Sequence, residues 1–212
     1  MPETKLQSQA MQQDGWEQIQ SSLTYASATT INSSVDLTGV IQKGDKLKLN
    51  NTTTKYFYVL AVTSSLITVT GGSDYSVANS AITLPYFSKI ENPQGFPVYF
   101  NYTPTVTSGT GTLTTIGTVT CRFKIVGNQC FRYDYVTITN IGTGGDSIRL
   151  THPFAVTVSP EYSIVGVGQN ISNGISLTAL MTNSLGLVIR TYNVQFPLSN
   201  SQGIATTTVF YI

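Results

Sequence analysis

Side chains that perform acid–base, nucleophilic or metal chemistry are few in this chain and lie far apart. The ten acidic residues are scattered, and no two are spaced so that one face of a strand would present the paired carboxylates of a glycoside hydrolase. The single histidine, His152, has no second histidine or paired cysteine beside it, which favours a structural role over a zinc or triad site. The sequence therefore predicts a protein that is not an enzyme and that uses no metal and no cofactor.

Three short motifs resemble ligand sites, but the residues around them favour structural roles. Asp74 and Asp146 lie in loops flanked by glycine, where an isolated aspartate is more often a turn former than a calcium ligand. Gly166 and Gly168 form a G-x-G, but the third glycine and the following helix of a dinucleotide site are missing. None of these motifs is expected to bind a ligand.

Composition narrows the functional class. Charged residues make up 10% of the 212 residues, against about 25% in an ordinary soluble domain. A net charge of +1 gives no electrostatic signature of nucleic acid or anionic membrane as a partner. The first residues, MPETKLQSQAMQQDGW, lack the basic and apolar regions of a signal peptide. The low charge and the missing signal peptide together allow the interpretation that the protein is made in the cytosol but used outside a cell. This combination points to a virus particle.

The region from Gly109 to Asn140 predicts a β-hairpin around which the rest of the chain is organised. Residues 118–126 and 130–139 each alternate apolar and polar side chains with a period of two, which is typical of half-buried strands. Further alternating segments, with glycine-rich or polar turns between them, occur on both sides of it. They predict an all-β protein with about half of its residues in strands.

The register of this hairpin determines which side chains are buried. A two-residue turn at Gly127 and Asn128 would mix apolar and charged residues on one face, whereas a three-residue loop over 127–129 separates them. We therefore predict the three-residue loop. It places Arg122 opposite Asp134 as an ion pair on the solvent face.

The same register predicts the state of the two cysteines. Cys121 and Cys130 would point to opposite faces of the hairpin with an offset along it, which disulfide geometry does not allow. Two cysteines in a chain of this length do not form a disulfide framework. Both are predicted to be free thiols, with Cys121 in the core.

Four regions are expected along the chain. Residues 1–14 are a polar tail that is either a frayed terminus or an anchor to a larger assembly. Residues 15–92 carry about five short strands of a small β-barrel or sandwich. Residues 93–108 are a connector rich in proline and aromatic residues, and residues 109–212 form a second β-sandwich. The connector's rings are interpreted as packing between the two halves, with an exposed aromatic platform for a ligand as the alternative.

Two long segments resemble virion proteins of tailed bacteriophages. The first runs from DGW through KGDKLKL and KYFYVLAVTSSLITVTGG to YFSKIENPQGFP, and it is similar to an N-terminal β-module of phage minor structural and fibre-like proteins. The second runs from FNYTPT through TVTCRFKIVGNQCFRYDYVTITN and LTHPF to VFYI. It resembles the jelly-roll tip domains of phage fibres and receptor-binding proteins.

The resemblance implies a function and partners. It implies a non-catalytic virion appendage protein, a trimer attached to other virion proteins through residues 15–92, with a jelly-roll tip over residues 109–212 that contacts polysaccharide on the host surface. The alternative is a capsid fibre, head decoration or neck protein that binds only its virion neighbours. Nucleic acid and membrane are not expected as partners.

Polysaccharide would be held by exposed aromatic rings and by the hydrogen-bonding side chains of asparagine and threonine. The loops of the second domain offer four candidates, which are Tyr162, Asn170, Asn173 and Tyr192.

Overall fold

The computed structural model describes residues 14–156, 163–182 and 186–212. Within these residues the protein is all-β without a helix, and 56% of the described residues lie in strands, which form two antiparallel sheets, one of them curled into a half-barrel. The predicted all-β class is confirmed, and the architecture is consistent with a sandwich or barrel.

Contacts between residues divide the chain into two compact units. The first unit contains the residues up to Val98 together with Ile125–Asn128, and the second contains Tyr99–Lys124 and Gln129–Ile212. The predicted tail at residues 1–14 lies, except for Asp14, outside the described residues.

The first unit contains one sheet of seven strands in the order β1-β7-β4-β5-β6-β3-β2. Leu47 and Leu49 on its interior strand β4 are fully buried, and Lys46 on the same strand is buried as well. Its strands are β1 (Glu17–Gln18), β2 (Leu23–Ser27), β3 (Thr30–Ser33), β4 (Lys46–Asn51), β5 (Thr53–Val62), β6 (Leu66–Thr70) and β7 (Thr83–Ser88).

The second unit contains one sheet of nine strands in the order β8-β10-β11-β16-β13-β14-β15-β12-β9. The C-terminal strand β16 lies in the middle of the sheet and pairs with β11 on one side and β13 on the other. The strands are β8 (Phe100–Tyr102), β9 (Val106–Thr110), β10 (Thr115–Val126), β11 (Gln129–Asn140), β12 (Gly145–Leu150), β13 (Ser163–Asn170), β14 (Ser176–Thr182), β15 (Gly186–Thr191) and β16 (Gln202–Tyr211).

The hairpin of β10 and β11 is present, but its predicted register is wrong. Only Gly127 and Asn128 lie between the two strands, and Gly127 has the positive φ of 58° that glycine accepts at such a turn. Arg132 and Asp134 consequently point to the buried face and not to solvent. The three-residue loop was preferred because it kept charges out of the core, and this hairpin instead buries two charges of opposite sign.

The predicted connector at residues 93–108 does not exist as a separate segment. Phe100–Tyr102 and Val106–Thr110 are strands of the second sheet, with Phe100 and Tyr102 buried. Phe96 belongs to the first unit, where its ring lies 6.1 Å from that of Trp16. Residues 100–108 alternate between buried and exposed positions as in other strands, with the Phe100 ring 6.0 Å from that of Phe123.

Candidate functional site

The outer face of β10 and β11 carries a row of aromatic rings and cations. The guanidinium carbon of Arg122 lies 4.6 Å from the ring centre of Tyr99 and 5.5 Å from that of Tyr133. The two tyrosine rings meet edge to face, with their centres 5.4 Å apart. Lys124 Nζ lies 5.7 Å from the Tyr99 ring and 5.5 Å from the ring of Phe131. Stacking of this kind holds cationic side chains in place at an accessible surface.

A groove of about 650 Å³ runs along this face, across β10, β11, β16 and β13. Arg122, Tyr133 and Tyr135 contribute a cation and two rings to its lining. Exposed Gln169 and Thr207 add an amide and a hydroxyl from β13 and β16. The groove thus combines flat apolar surfaces with hydrogen-bonding groups, the mixture found in sites that bind small polar ligands.

Two glycines allow the strands behind this groove to approach closely. A Cβ atom on Gly166 would lie 2.1 Å from the backbone oxygen of Thr207, and one on Gly168 would lie 2.5 Å from the oxygen of Ala205. The G-x-G motif is therefore used for packing between β13 and β16. This geometry agrees with the structural role that the sequence predicts for the motif.

The opposite, buried face of β11 carries an ion pair. Arg132 Nε donates a hydrogen bond of 3.1 Å to Asp134 Oδ2, and both side chains are fully buried. Arg132 Nη2 is also 3.1 Å from Oδ2, but outside hydrogen-bonding geometry, so this nitrogen makes no hydrogen bond. Tyr102 donates its hydroxyl hydrogen to Asp134 Oδ1. The predicted ion pair of Arg122 and Asp134 is therefore wrong, because the two residues occupy opposite faces of the hairpin.

His152 extends this buried network. Its Nδ1 lies 3.1 Å from Arg132 Nη1, and its Nε2 lies 3.1 Å from the backbone oxygen of Thr182. Arginine only donates and a carbonyl only accepts, so the neutral imidazole with its hydrogen on Nε2 satisfies both contacts. Burial, together with the charge of Arg132, lowers the pKa of His152. The structural role expected for this histidine matches these contacts.

The same environment suppresses the chemistry of the other reactive groups. Burial raises the pKa of the Cys121 thiol to about 12 and that of the Cys130 thiol to about 12. Burial also raises the pKa of Tyr102. Both cysteines are free, as predicted, but they lie on the same buried face and not on opposite faces. A thiol that stays protonated is a poor nucleophile.

The four residues predicted to bind polysaccharide do not form one site. Asn170 is fully buried, and its Nδ2 donates to the Pro197 oxygen at 2.8 Å and to Gln202 Oε1 at 2.9 Å. Its prediction as a ligand residue is wrong, because its amide holds neighbouring loops in place. Asn173 is exposed and caps the turn at Ile175. Tyr192 is 87% exposed, and Tyr162 lies outside the described residues.

The groove residues lie on strands, whereas the residues predicted from the sequence to bind a ligand were chosen in loops. The predicted hairpin register was wrong, and it placed the side chains of Tyr133 and Tyr135 in the core, on the face opposite to Arg122. In the correct register the alternation of β11 places Phe131, Tyr133 and Tyr135 together on the outer face. The sequence does contain an indication of this aromatic surface, namely three aromatic residues at every second position of one strand.

Among the described residues, no group of three or more histidine, cysteine, aspartate or glutamate side chains is arranged to hold a metal ion. The same residues include no helix long and apolar enough to cross a membrane. Comparison of the chain with protein families, with curated proteins and with solved structures gives no match.

Proposed function

We propose that this chain is a non-catalytic structural appendage protein of a bacteriophage virion, which contacts glycan on the host surface. In this proposal the first unit attaches to other virion proteins and the second unit carries the contact. The resemblance of both segments to phage fibre proteins motivates the proposal, and the all-β architecture agrees with it.

The outer groove is the observation that supports glycan binding most strongly. Sugar rings have apolar faces that stack on aromatic side chains, and their hydroxyls pair with amides, hydroxyls and guanidinium groups. Tyr133, Gln169 and Arg122 offer these three types of contact within the lining of one groove. By contrast, both cysteines of the second unit are buried, and half-buried His152 is held by Arg132 and by the backbone oxygen of Thr182.

A homo-oligomer, and specifically a trimer, belongs to the same proposal. Several apolar side chains of the second unit that do not line the groove are exposed, including Ile164 at 68% and Tyr211 at 67%. Apolar surface of this kind is often covered by a second protein. Repeated copies would also strengthen weak contacts to a repetitive polymer through avidity.

These exposed side chains also favour a second candidate function. A capsid fibre, head decoration or neck protein that binds only virion neighbours would use them as a protein contact and would leave the groove empty. Antibody labelling of virus particles distinguishes the locations, since labelling on the head supports this second function.

The direct test is cosedimentation of the purified full chain with a panel of intact bacteria and with their isolated cell-wall polysaccharides. We expect binding to the walls of at least one strain, with loss of binding in Tyr133→Ala at unchanged thermal stability. Light scattering on the same sample is expected to give a trimer. Failure to bind any strain or wall polymer would contradict the contact with host glycan.

A further inference from the structure

We propose that the outer groove binds an anionic polysaccharide, whose phosphate or carboxylate groups pair with Arg122 and Lys124. This inference rests on the proposed contact with glycan and specifies the chemical class of that glycan.

Arg122 is an exposed cation without a carboxylate partner among the described residues of its unit. Asp134 and Asp146 are the acidic residues described there. Asp134 is buried against Arg132 on the opposite face of the sheet, and the Asp146 carboxylate lies 4.0 Å from Arg149 and accepts a hydrogen bond from the Ser147 hydroxyl. The charge of Arg122 is therefore available to a ligand.

The tyrosine rings hold this guanidinium ready for binding. Its central carbon is 4.6 Å from the Tyr99 ring centre and 5.5 Å from the Tyr133 ring centre. Contact with two rings reduces the rotamer freedom that the arginine loses when it binds an anion. A planar guanidinium held in this way is suited to the two oxygens of a carboxylate or a phosphate.

Lys124 extends the positive surface along β10. It lies two residues beyond Arg122, so the two Cα atoms are about 7 Å apart on the same face of the strand. Its ammonium group lies close to the rings of Tyr99 and Phe131. Two cations in a row, each beside aromatic rings, favour a polymer that carries repeated negative charges over a neutral one.

The uncharged lining residues favour a saccharide over other polyanions. Gln169 and Thr207 are exposed, and their amide and hydroxyl groups are of the kind that form hydrogen bonds with sugar hydroxyls. Gln169 Nε2 also donates a hydrogen bond of 3.3 Å to the backbone oxygen of Gly174. A single-stranded nucleic acid would use the same rings and cations, so it must be included as a competing ligand in the test.

The test measures binding of the full chain to immobilised polymers at low and at physiological salt. The probes are a phosphate-bearing wall teichoic acid, a carboxylate-bearing polyuronate, neutral dextran and a single-stranded oligonucleotide. The variants are Arg122→Gln, Arg122→Lys and, as a control that removes one positive charge from β15 of the same unit, Arg190→Gln. Thermal melting verifies that each variant is folded.

We expect binding to at least one anionic polysaccharide, weaker binding at higher salt, and little retention on dextran. Arg122→Gln is expected to weaken binding about tenfold, because a charge-assisted hydrogen bond is lost. Arg122→Lys should restore part of the affinity and Arg190→Gln should leave it unchanged. Preference for the phosphate or for the carboxylate polymer would identify the source of the negative charge.

Three results would overturn the inference. Equal binding to dextran and to the anionic polymers would show that the groove does not select for negative charge. It would contradict this inference but not the proposed contact with glycan. Tighter binding to the oligonucleotide than to either anionic polysaccharide would reassign the groove to nucleic acid. Absence of binding to all of the polysaccharides would contradict both the inference and the proposed function.

Discussion

Arg132 and Asp134 lie two residues apart on β11 and form an ion pair from which solvent is excluded, with both side chains at 0% exposure. The pair is supported from two directions, since Tyr102 donates to the carboxylate and His152 accepts from the guanidinium. A buried ion pair has a large desolvation cost, which its attraction offsets only when further hydrogen bonds satisfy the charged atoms.

We predict that removing one charge of this pair is much more damaging than removing both. Arg132→Met should lower the free energy of unfolding of the second unit by about 3–5 kcal/mol, because it leaves the Asp134 carboxylate buried without its cation. The double variant Arg132→Met, Asp134→Leu should lose less. Urea unfolding followed by circular dichroism measures the difference, with Arg122→Met as the exposed control. Equal losses in the single and double variants would contradict this account of the pair.

Acid is expected to destabilise the second unit through His152. The pKa of this residue is lowered from 6.5 in the folded chain by burial and by the charge of Arg132. Below pH 6.5 the unfolded chain therefore binds more protons than the folded chain, and stability falls as the pH decreases towards the lowered pKa. Well above pH 6.5 the histidine is neutral in both states and contributes no slope.

The substitution His152→Phe should remove this pH dependence, since phenylalanine retains an aromatic ring beside Phe210, whose ring centre is 5.7 Å from that of His152. Unfolding curves measured between about pH 5 and pH 7 should then be flatter than those of the unsubstituted chain. An identical slope in both proteins would show that other groups cause the acid sensitivity.

Neither thiol should react in the folded protein. Burial raises the pKa of Cys121 and of Cys130 to about 12, so both remain protonated and shielded at pH 8. Titration with a thiol-specific disulfide reagent should detect no free thiol in native buffer and both thiols in concentrated urea. Rapid and complete labelling of the native chain would contradict the burial of these side chains.

A side chain at Gly166 should disrupt the pairing of β13 and β16. The Cβ of an alanine would lie 2.1 Å from the Thr207 oxygen, which is a backbone atom of the neighbouring strand. We expect Gly166→Ala to destabilise the second unit by about 1–3 kcal/mol, the usual cost of overpacking. Gly39→Ala is the matched control, because no atom lies within 4 Å of its added Cβ. Equal thermal stability of the two variants would contradict the close approach of these strands.

The fold class and most strand positions could be predicted because they depend on local alternation. The segments around KLKLN and TVTCRFKIV alternate with a period of two, and the structure has β4 and β10 at these positions. The register of a hairpin, by contrast, changes when its turn is one residue longer or shorter. It was predicted incorrectly because a charged side chain was assumed to face water, whereas Arg132 and Asp134 neutralise each other in the core.

The candidate site was less predictable, because it is formed by strands that are distant in sequence. Tyr133 and Gln169 lie on β11 and β13, which are brought together only because the C-terminal strand β16 inserts between them. No local pattern indicates this insertion. Asn170 was chosen for its position in a loop-like segment, but the folded chain uses its amide internally.

The most direct test of the central claim compares Tyr133→Ala, in the groove, with Tyr192→Ala, in an exposed turn, for binding to the same cell-wall polysaccharide. If the outer groove is the contact site, Tyr133→Ala should abolish measurable binding, since the loss of the stacking ring is repeated at each of several sites along the polymer. Tyr192→Ala should bind like the unsubstituted chain, and both variants should melt at the temperature of that chain. Loss of binding in Tyr192→Ala with full binding in Tyr133→Ala would contradict the assignment and place the contact in the loops.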